Sequence, residues 1–165
     1  MLVAGLALIV AVVGLAGCAT PPAETSGFNL IFKYGVMAKN ELNTFEGIYT
    51  KDMVMDPSIT INLSLTEEEL DRIYQKMVEI DFFDYPDEFS VPVEEGGLVT
   101  MVTPYSSYCF KVEYDSTVKE LRWEDEIMNP NDEANKLREL IQLIRDIIES
   151  KEEYKELPAP TSGYM

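Results

Sequence analysis

The side chains that could do chemistry here are carboxylates and two cysteines, because the 165 residues contain no histidine. The lack of His excludes Ser–His and Cys–His nucleophile pairs and His-based zinc sites. Cys18 and Cys109 are too far apart for a C-x-x-C redox centre. The G-x-S-x-G and G-x-x-x-x-G-K-[ST] motifs are also absent from the sequence. The sequence therefore predicts no catalytic residue, no metal site and no cofactor, and favours a protein that is not an enzyme.

The acidic residues leave one enzymatic alternative open. Asp and Glu number 30 against 13 Lys and Arg, and the formal net charge is −17. Two carboxyl groups about 5–9.5 Å apart could hydrolyse a glycosidic bond, so a carboxylate-dependent polysaccharide hydrolase is the alternative function. The densest stretch, 66–95, has no calcium-loop spacing and is interpreted as a solvated acidic face. The charge disfavours nucleic acid and anionic lipid head groups as partners.

Three tyrosines form the candidate binding site. Tyr85 lies in the stretch 82–97, and Tyr105 and Tyr108 belong to "TPYSSY". Exposed tyrosines often anchor binding partners because one side chain combines an apolar ring with a hydroxyl group. The alternative is that Tyr108 and most of the others belong to the core.

Cys18 ends an uncharged apolar run, residues 1–17. Leu15-Ala16-Gly17-Cys18 resembles a bacterial lipobox, in which small residues fit the signal peptidase and the Cys thiol receives diacylglycerol. The sequence thus predicts a signal peptide over 1–17, with lipidated Cys18 and a flexible linker over 18–27. Export signals usually begin with a basic residue, and none precedes Lys33. An uncleaved anchor helix and a buried apolar segment are the alternatives.

Residues 28–156 are predicted to form one α+β domain, followed by a flexible tail over 157–165. Period-two alternation predicts strands in the runs 28–34, 44–50 and 58–65, separated by breaks at Gly35 and Asp56-Pro57. In the second run the alternation places Phe45, Gly47 and Tyr49 on a common face. Residues 82–97 are interpreted as an irregular connection, after which strands resume at about Val99.

Two helices and a hairpin complete the predicted domain. Thr66 and Glu69 have the spacing of a capping box before an amphipathic helix. Asn129-Pro130 is predicted to start a second helix that runs to about Tyr154. A turn at Asp115-Ser116 pairs Phe110 with Leu121, Tyr108 with Trp123 and Lys111 with Glu120. We therefore expect an antiparallel sheet of about five to six strands with two helices on one face, in the order β-β-β-α-β-β-(β)-α.

Three stretches, 34–57, 65–89 and 101–123, carry a family resemblance. They include "LTEEELDRIYQKMVEIDFFDYPDEF" and "MVTPYSSYCFKVEYDSTVKELRW". Together with the last helix they resemble a group of short bacterial lipoproteins of unknown function. The resemblance implies no activity and no site residue. The element order is also similar, in layout alone, to that of emfourin-type protease inhibitors.

These observations favour a non-enzymatic binding module at the extracytoplasmic face of the cell membrane. The expected partners are the membrane, through the lipid on Cys18, and an unidentified envelope protein or ligand. The module could act as an inhibitor or as an accessory to an envelope protein. The alternatives are the hydrolase, acting on envelope polysaccharide, and a structural envelope protein.

The lipidation prediction is tested by replacing Cys18. We expect Cys18→Ala to abolish incorporation of a labelled fatty acid, because the acceptor thiol is gone. Metabolic labelling followed by gel fluorography measures this, with Cys109→Ala as the control that keeps its label. Labelling that survives in Cys18→Ala would contradict the lipobox interpretation.

Overall fold

The structure is a computed structural model that describes residues 27–164, so the predicted signal peptide and Cys18 lie outside the described residues. Its helices are α1 (Glu67–Glu79), α2 (Asp132–Ser150) and α3 (Glu152–Lys155), and its strands are β1 (Asn29–Tyr34), β2 (Asn40–Asn43), β3 (Ile48–Met53), β4 (Asp56–Asn62), β5 (Glu88–Phe89), β6 (Ser107–Tyr114) and β7 (Thr117–Glu124). Short 3₁₀ turns occupy Val36–Ala38 and Phe82–Asp84. Over the described range, no helix has the length and apolar character needed to cross a membrane.

The strands form one sheet in the order β4-β3-β2-β1-β6-β7-β5. The α+β class is confirmed, and the strand count and sheet type differ from the prediction. In the described part of the chain the sheet has seven strands instead of five or six. It is mixed, because β5 runs parallel to β7 while the other pairs are antiparallel. A short third helix, α3, follows α2.

One face of the sheet and the two long helices share a single core. Residues of β1 alternate strictly, and Leu30 and Phe32 are fully buried. Ile73 and Met77 of α1 belong to the same cluster. The apolar face of α2 is buried and includes Leu137, Leu140, Ile141, Ile144, Ile147 and Ile148. Burying one face of each element is what stabilises this layered arrangement.

The hairpin register predicted from the sequence is confirmed pair by pair. Tyr108 lies opposite Trp123, Phe110 opposite Leu121, and Lys111 opposite Glu120. The turn residues Asp115 and Ser116 both have positive φ values, 47° and 65°. Two successive left-handed residues are typical of the type I′ turn, whose twist matches that of the flanking strands.

The start of α1 is confirmed and the start of α2 is corrected. Thr66 and Glu69 form both halves of the capping box. The N-cap of α2 is Asn131, whose side chain accepts a hydrogen bond from Ala134 N–H at 2.8 Å. The prediction of Asn129 as the N-cap is wrong, because its side-chain amide forms hydrogen bonds with the backbone of Leu98 and Thr100 instead.

The prediction of a strand over 44–50 was wrong in its first half. Residues 44–47 form a turn between β2 and β3. Asn43 closes this turn, because its Oδ1 accepts hydrogen bonds from Phe45 N–H and Glu46 N–H. Phe45 is 44% exposed and does not share the buried face of Tyr49.

The predicted break at Asp56-Pro57 lies inside β4. The turn is at Val54-Met55, and Met53 pairs with Asp56. Pro57 is tolerated there because β4 is an edge strand, where a missing N–H costs no ladder hydrogen bond.

The stretch 82–97 is more regular than predicted. Its residues Glu88 and Phe89 form β5 against β7. Arg122 N–H donates to Asp87 O at 2.8 Å, and Lys119 Nζ donates to Tyr85 O at 2.6 Å. These contacts hold the stretch along the edge of the sheet.

Residues 157–164, predicted to be a flexible tail, have contacts with β3 and β4. Lys51 Nζ donates to Pro158 O at 3.0 Å, and Thr161 Oγ1 donates to Asp56 Oδ2 at 2.8 Å. Tyr164 OH donates to the Asp52 carboxylate. The end of the described chain therefore lies along the β3–β4 edge.

The left-handed turn of the hairpin predicts a stabilising substitution. Ser116→Gly should raise the free energy of unfolding by about 0.5–1 kcal/mol, because glycine relieves a left-handed strain of about 1–2 kcal/mol and adds a smaller entropic cost. Urea denaturation measures the change.

The matched control is Thr117→Gly, at the adjoining extended position in β7, which should lower the free energy of unfolding by about 0.5–1 kcal/mol. A loss of stability in both variants would contradict the turn assignment.

Candidate functional site

Two of the three candidate tyrosines meet in a cleft of about 510 Å³ at one end of the sheet. Tyr105, Tyr108 and the start of β6 form one wall, and the turn 36–38 forms another. Most of its wall is apolar: Val36, Met37, Ala38, Pro104, Tyr105 and Tyr108. Arg122 and Glu124 supply one charge of each sign. Such a lining suits a largely apolar ligand fixed by a few polar contacts.

Gly35 directs the chain into the turn that forms one wall of the cleft. Its φ of 88° and ψ of −171° lie in a region that is essentially restricted to glycine. An added Cβ would lie 2.8 Å from Asn40 Nδ2, so the space is also closed to a side chain. The Gly35 carbonyl accepts hydrogen bonds from Ala38 N–H at 3.0 Å and Ser107 N–H at 2.9 Å. One carbonyl therefore joins the two walls of the cleft.

A buried pair of tyrosines lies beneath this turn. The hydroxyl oxygens of Tyr34 and Tyr49 are 2.7 Å apart. Burial raises the pKa of Tyr34 to about 12, so its hydroxyl group keeps its proton at any physiological pH. Asn40 Nδ2 donates to Tyr34 O at 3.2 Å, and Asp52 N–H donates to Asn40 Oδ1 at 3.0 Å. The network fixes the backbone from which the turn projects.

The backbone of the turn 36–38 is strained, and its side chain at Met37 is exposed. Met37 and Ala38 have φ values of 58° and 52°, a region that residues other than glycine seldom occupy. Met37 is 72% exposed and lines the cleft. A strained backbone persists only where the surrounding structure holds it in place. Residues of this kind are often found at functional sites.

A two-stranded ribbon, residues 98–102 and 126–129, adjoins the other wall. Met101 and Ile127 form an antiparallel bridge. Val102 N–H donates to Glu126 O at 2.9 Å, and Met128 N–H donates to Thr100 O at 2.8 Å. The ribbon exposes five large apolar side chains, with exposed fractions of 94% for Leu98, 44% for Val99, 62% for Met101, 40% for Val102 and 49% for Met128.

The polar groups of the cleft are few and partly engaged with each other. Ser107 Oγ donates to Glu124 Oε2 at 2.8 Å. Tyr108 packs against Phe32 and Trp123, and burial raises the pKa of its phenol. Tyr108 thus lies partly in the core and partly on the cleft wall, and its role as a binding anchor stays a prediction.

Tyr85, the third candidate, lies elsewhere and is buried. Its hydroxyl group donates to Glu133 O at 3.1 Å and connects the Phe82–Asp84 turn to α2. It borders a smaller cavity of about 150 Å³ that also has Asp81, Asp84 and Glu133 on its wall. The structure does not bring Tyr85 together with Tyr105 and Tyr108.

The carboxylates give weak support to acid–base chemistry. The larger cleft has a single one, Glu124. Asp81, Asp84 and Glu133 around the smaller cavity are all exposed to water. Within residues 27–164 no group of three or more Cys, Asp or Glu side chains is placed to hold a metal ion.

Sequence reasoning missed the turn at 36–38 and the ribbon. Gly35 is predicted only as a break between strands, although Val36, Met37 and Ala38 follow it without a polar residue. The apolar residues between Gly97 and Pro104 predict the start of a strand, whereas the structure places them in the ribbon. Their signal was a short apolar run bounded by a Gly pair and a proline, which the period-two rule does not separate from a buried strand.

The cleft predicts the reactivity of Cys109, which borders it. Burial raises the pKa of the Cys109 thiol; nearby Arg122 lowers it in part, and Glu124 raises it further. A raised pKa leaves less thiolate at a given pH, so alkylation by iodoacetamide should have its pH midpoint above that of a free cysteine. Mass spectrometry of the Cys109 peptide measures the rate separately from Cys18.

Two neighbouring substitutions serve as matched variants. Arg122→Gln should move the midpoint upward, and Glu124→Gln should move it downward. A midpoint at or below the value of a free cysteine, or shifts of the same sign in both variants, would contradict the described surroundings of Cys109.

Comparison with known proteins gives no match to a family model, to a curated protein or to a solved structure. The resemblance to short bacterial lipoproteins therefore stays a prediction from the sequence.

Proposed function

We propose that this chain is a membrane-anchored, non-enzymatic protein that binds a protein partner in the cell envelope. The binding region is the end of the sheet that combines the cleft and the ribbon. It holds the partner by apolar and main-chain contacts and carries out no chemistry on it. The module would act as an inhibitor of an envelope protein or as an accessory to one.

One observation carries the proposal, namely that six of the twelve exposed large apolar side chains of residues 27–164 lie on the turn 36–38 and the ribbon. Met37 on one wall and Leu98, Met101 and Val102 beyond the other are all at least 40% exposed. Soluble monomers rarely expose contiguous apolar patches larger than a few hundred Å², and larger patches mark interaction sites. Tyr105 adds an aromatic anchor of the kind that dominates binding energy at interfaces.

The position of this end relative to the start of the domain supports the same function. Strand β1 begins at Asn29, opposite Glu113, and ends near the cleft at Tyr34. A chain anchored through Cys18 would therefore enter the domain at the end opposite to the cleft. Six residues of strand separate the two ends by about 20 Å. The linker then places the cleft where an envelope protein can reach it.

The hydrolase alternative has less support from the geometry. The carboxylates that line the small cavity, Asp81, Asp84 and Glu133, are exposed to water. The cavity beside them, about 150 Å³, is small for a polysaccharide subsite. The third possibility, a structural envelope protein, would need self-association of a chain with a net charge of −17.

Photo-crosslinking in living cells tests the proposed function. With benzoylphenylalanine in place of Met37, which is 72% exposed at the cleft, we expect one defined protein adduct. The matched control is the same probe at Phe45, which is 44% exposed in the β2–β3 turn at the opposite end of the sheet. It should give no adduct.

Adducts are measured by immunoblotting and identified by mass spectrometry. Absence of an adduct at Met37, or the same adduct in equal yield at both positions, would contradict binding at the cleft end.

A further inference from the structure

The ribbon has a free backbone edge. In its antiparallel pairing, Thr100 and Val102 direct their hydrogen-bonding groups toward residues 126–129. Because successive residues of a strand point these groups to opposite sides, Val99 and Met101 direct theirs away from the ribbon. The residues described by the structure offer no hydrogen-bond partner to the Met101 N–H or C=O. This edge is a short template for another strand.

The side chains along the edge are apolar and exposed. Leu98 and Met101 are 94% and 62% exposed, so neither is used by the core. The edge leads at Thr103 into the cleft, whose opposite wall carries Met37. An extended segment lying on the edge would therefore bury apolar side chains of both walls while it pairs with the backbone.

The charge around the edge selects for a basic segment. The sequence from 90 to 110 and from 123 to 131, which builds the ribbon and its flanks, contains five acids and no Lys or Arg of its own; Arg122 on the cleft wall and Arg138, which donates to Ile127 O at 3.4 Å, lie beside it. Of these acids, Asp125 is paired with Arg138 at 2.6 Å, while Glu94, Glu95 and Glu126 have no ion pair among residues 27–164. Complementary charge raises the rate of encounter and disfavours acidic partners.

We propose that the ribbon binds its partner by strand addition: an extended segment of the partner protein, with apolar residues alternating with Lys or Arg, pairs with the free edge at Val99 and Met101. The inference rests on the proposed function and specifies how the partner is recognised. Main-chain hydrogen bonds supply affinity, and the alternate side chains supply specificity.

The charge of the chain argues against the other occupants of this surface. Two copies, each with a net charge of −17, repel each other, so a homodimer through the ribbon is disfavoured. Anionic lipid head groups are disfavoured for the same reason. The same negative charge attracts a basic polypeptide and so favours its binding.

A displayed library of random 12-residue peptides tests the proposal. The target is the full-length protein in phosphatidylcholine nanodiscs, and empty nanodiscs serve as the counter-target. We expect enriched peptides in which apolar residues alternate with Lys or Arg. Their affinity should fall as salt rises, because the acidic flanks attract them.

Met101→Pro is the decisive variant, since it removes an N–H that faces outward and leaves the Val102–Glu126 hydrogen bond in place. Peptide affinity should fall by about tenfold or more, the loss expected for one or two hydrogen bonds. The matched control, Met101→Leu, keeps the N–H and the apolar side chain and should bind within about threefold of the original. A second measurement is independent of protein folding, because it changes only the peptide. N-methylation of every second amide should abolish binding when the methylated amides face the ribbon, and should preserve it when they face away.

Several results would overturn strand addition. These are the absence of enriched peptides, enrichment of acidic peptides, or equal binding to Met101→Pro. Binding to anionic nanodiscs that Met101→Pro abolishes would assign the ribbon to lipid, and a dimer that Met101→Pro dissociates would assign it to a second copy. An adduct from the Met37 probe that persists in Met101→Pro would leave the proposed function standing and remove this mode of recognition.

Discussion

The carbonyl oxygen of Gly35 holds the two walls of the cleft together by accepting hydrogen bonds from Ala38 N–H and Ser107 N–H. Its backbone conformation, φ 88° and ψ −171°, is one that only glycine adopts without strain. Gly35 directly follows the central strand β1, and Ser107 is the first residue of β6. The Gly35 carbonyl oxygen therefore fixes where the core sheet stops and the exposed surface begins. Without this constraint the chain would leave β1 without forming a wall for Tyr105 and Tyr108.

The part of the fold on the core side of Gly35 is stabilised by apolar packing. One face of the sheet, α1 and α2 bury a continuous apolar cluster, and the buried Tyr34–Tyr49 pair supports the turn from within. This rigid part lets Met37 and Ala38 keep left-handed conformations that they would not hold alone. Six of the twelve exposed large apolar side chains of residues 27–164 lie beyond the junction, on the turn 36–38 and the ribbon. The fold therefore separates a stable scaffold from a surface suited to binding, which is how binding sites are commonly carried.

The sequence predicted what depends on local periodicity and missed what depends on tertiary contacts. The hairpin register followed from pairing apolar with apolar and Lys111 with Glu120, and the capping box at Thr66 is a local motif. Strand β5 has two residues and is paired only because Lys119 and Arg122 hold its flanks, a contact that no short pattern contains. Of the candidate tyrosines, Tyr105 and Tyr108 lie close together in the sequence and share the cleft, whereas Tyr85 is buried against α2. Its place in the stretch 82–97 made Tyr85 a candidate anchor, but only the fold shows which ring is buried.

In the proposed function, the cleft end of the sheet binds another protein through its exposed backbone. Hydrogen–deuterium exchange of the full-length protein in its native membrane, compared with the same protein in phosphatidylcholine nanodiscs, measures this most directly. We expect slower exchange at the amides of Val99 and Met101 in the native membrane. The amides of the turn 44–47, at the opposite end of the sheet, should exchange at the same rate in both settings. Equal exchange at Val99 and Met101, or protection confined to 44–47, would contradict the account.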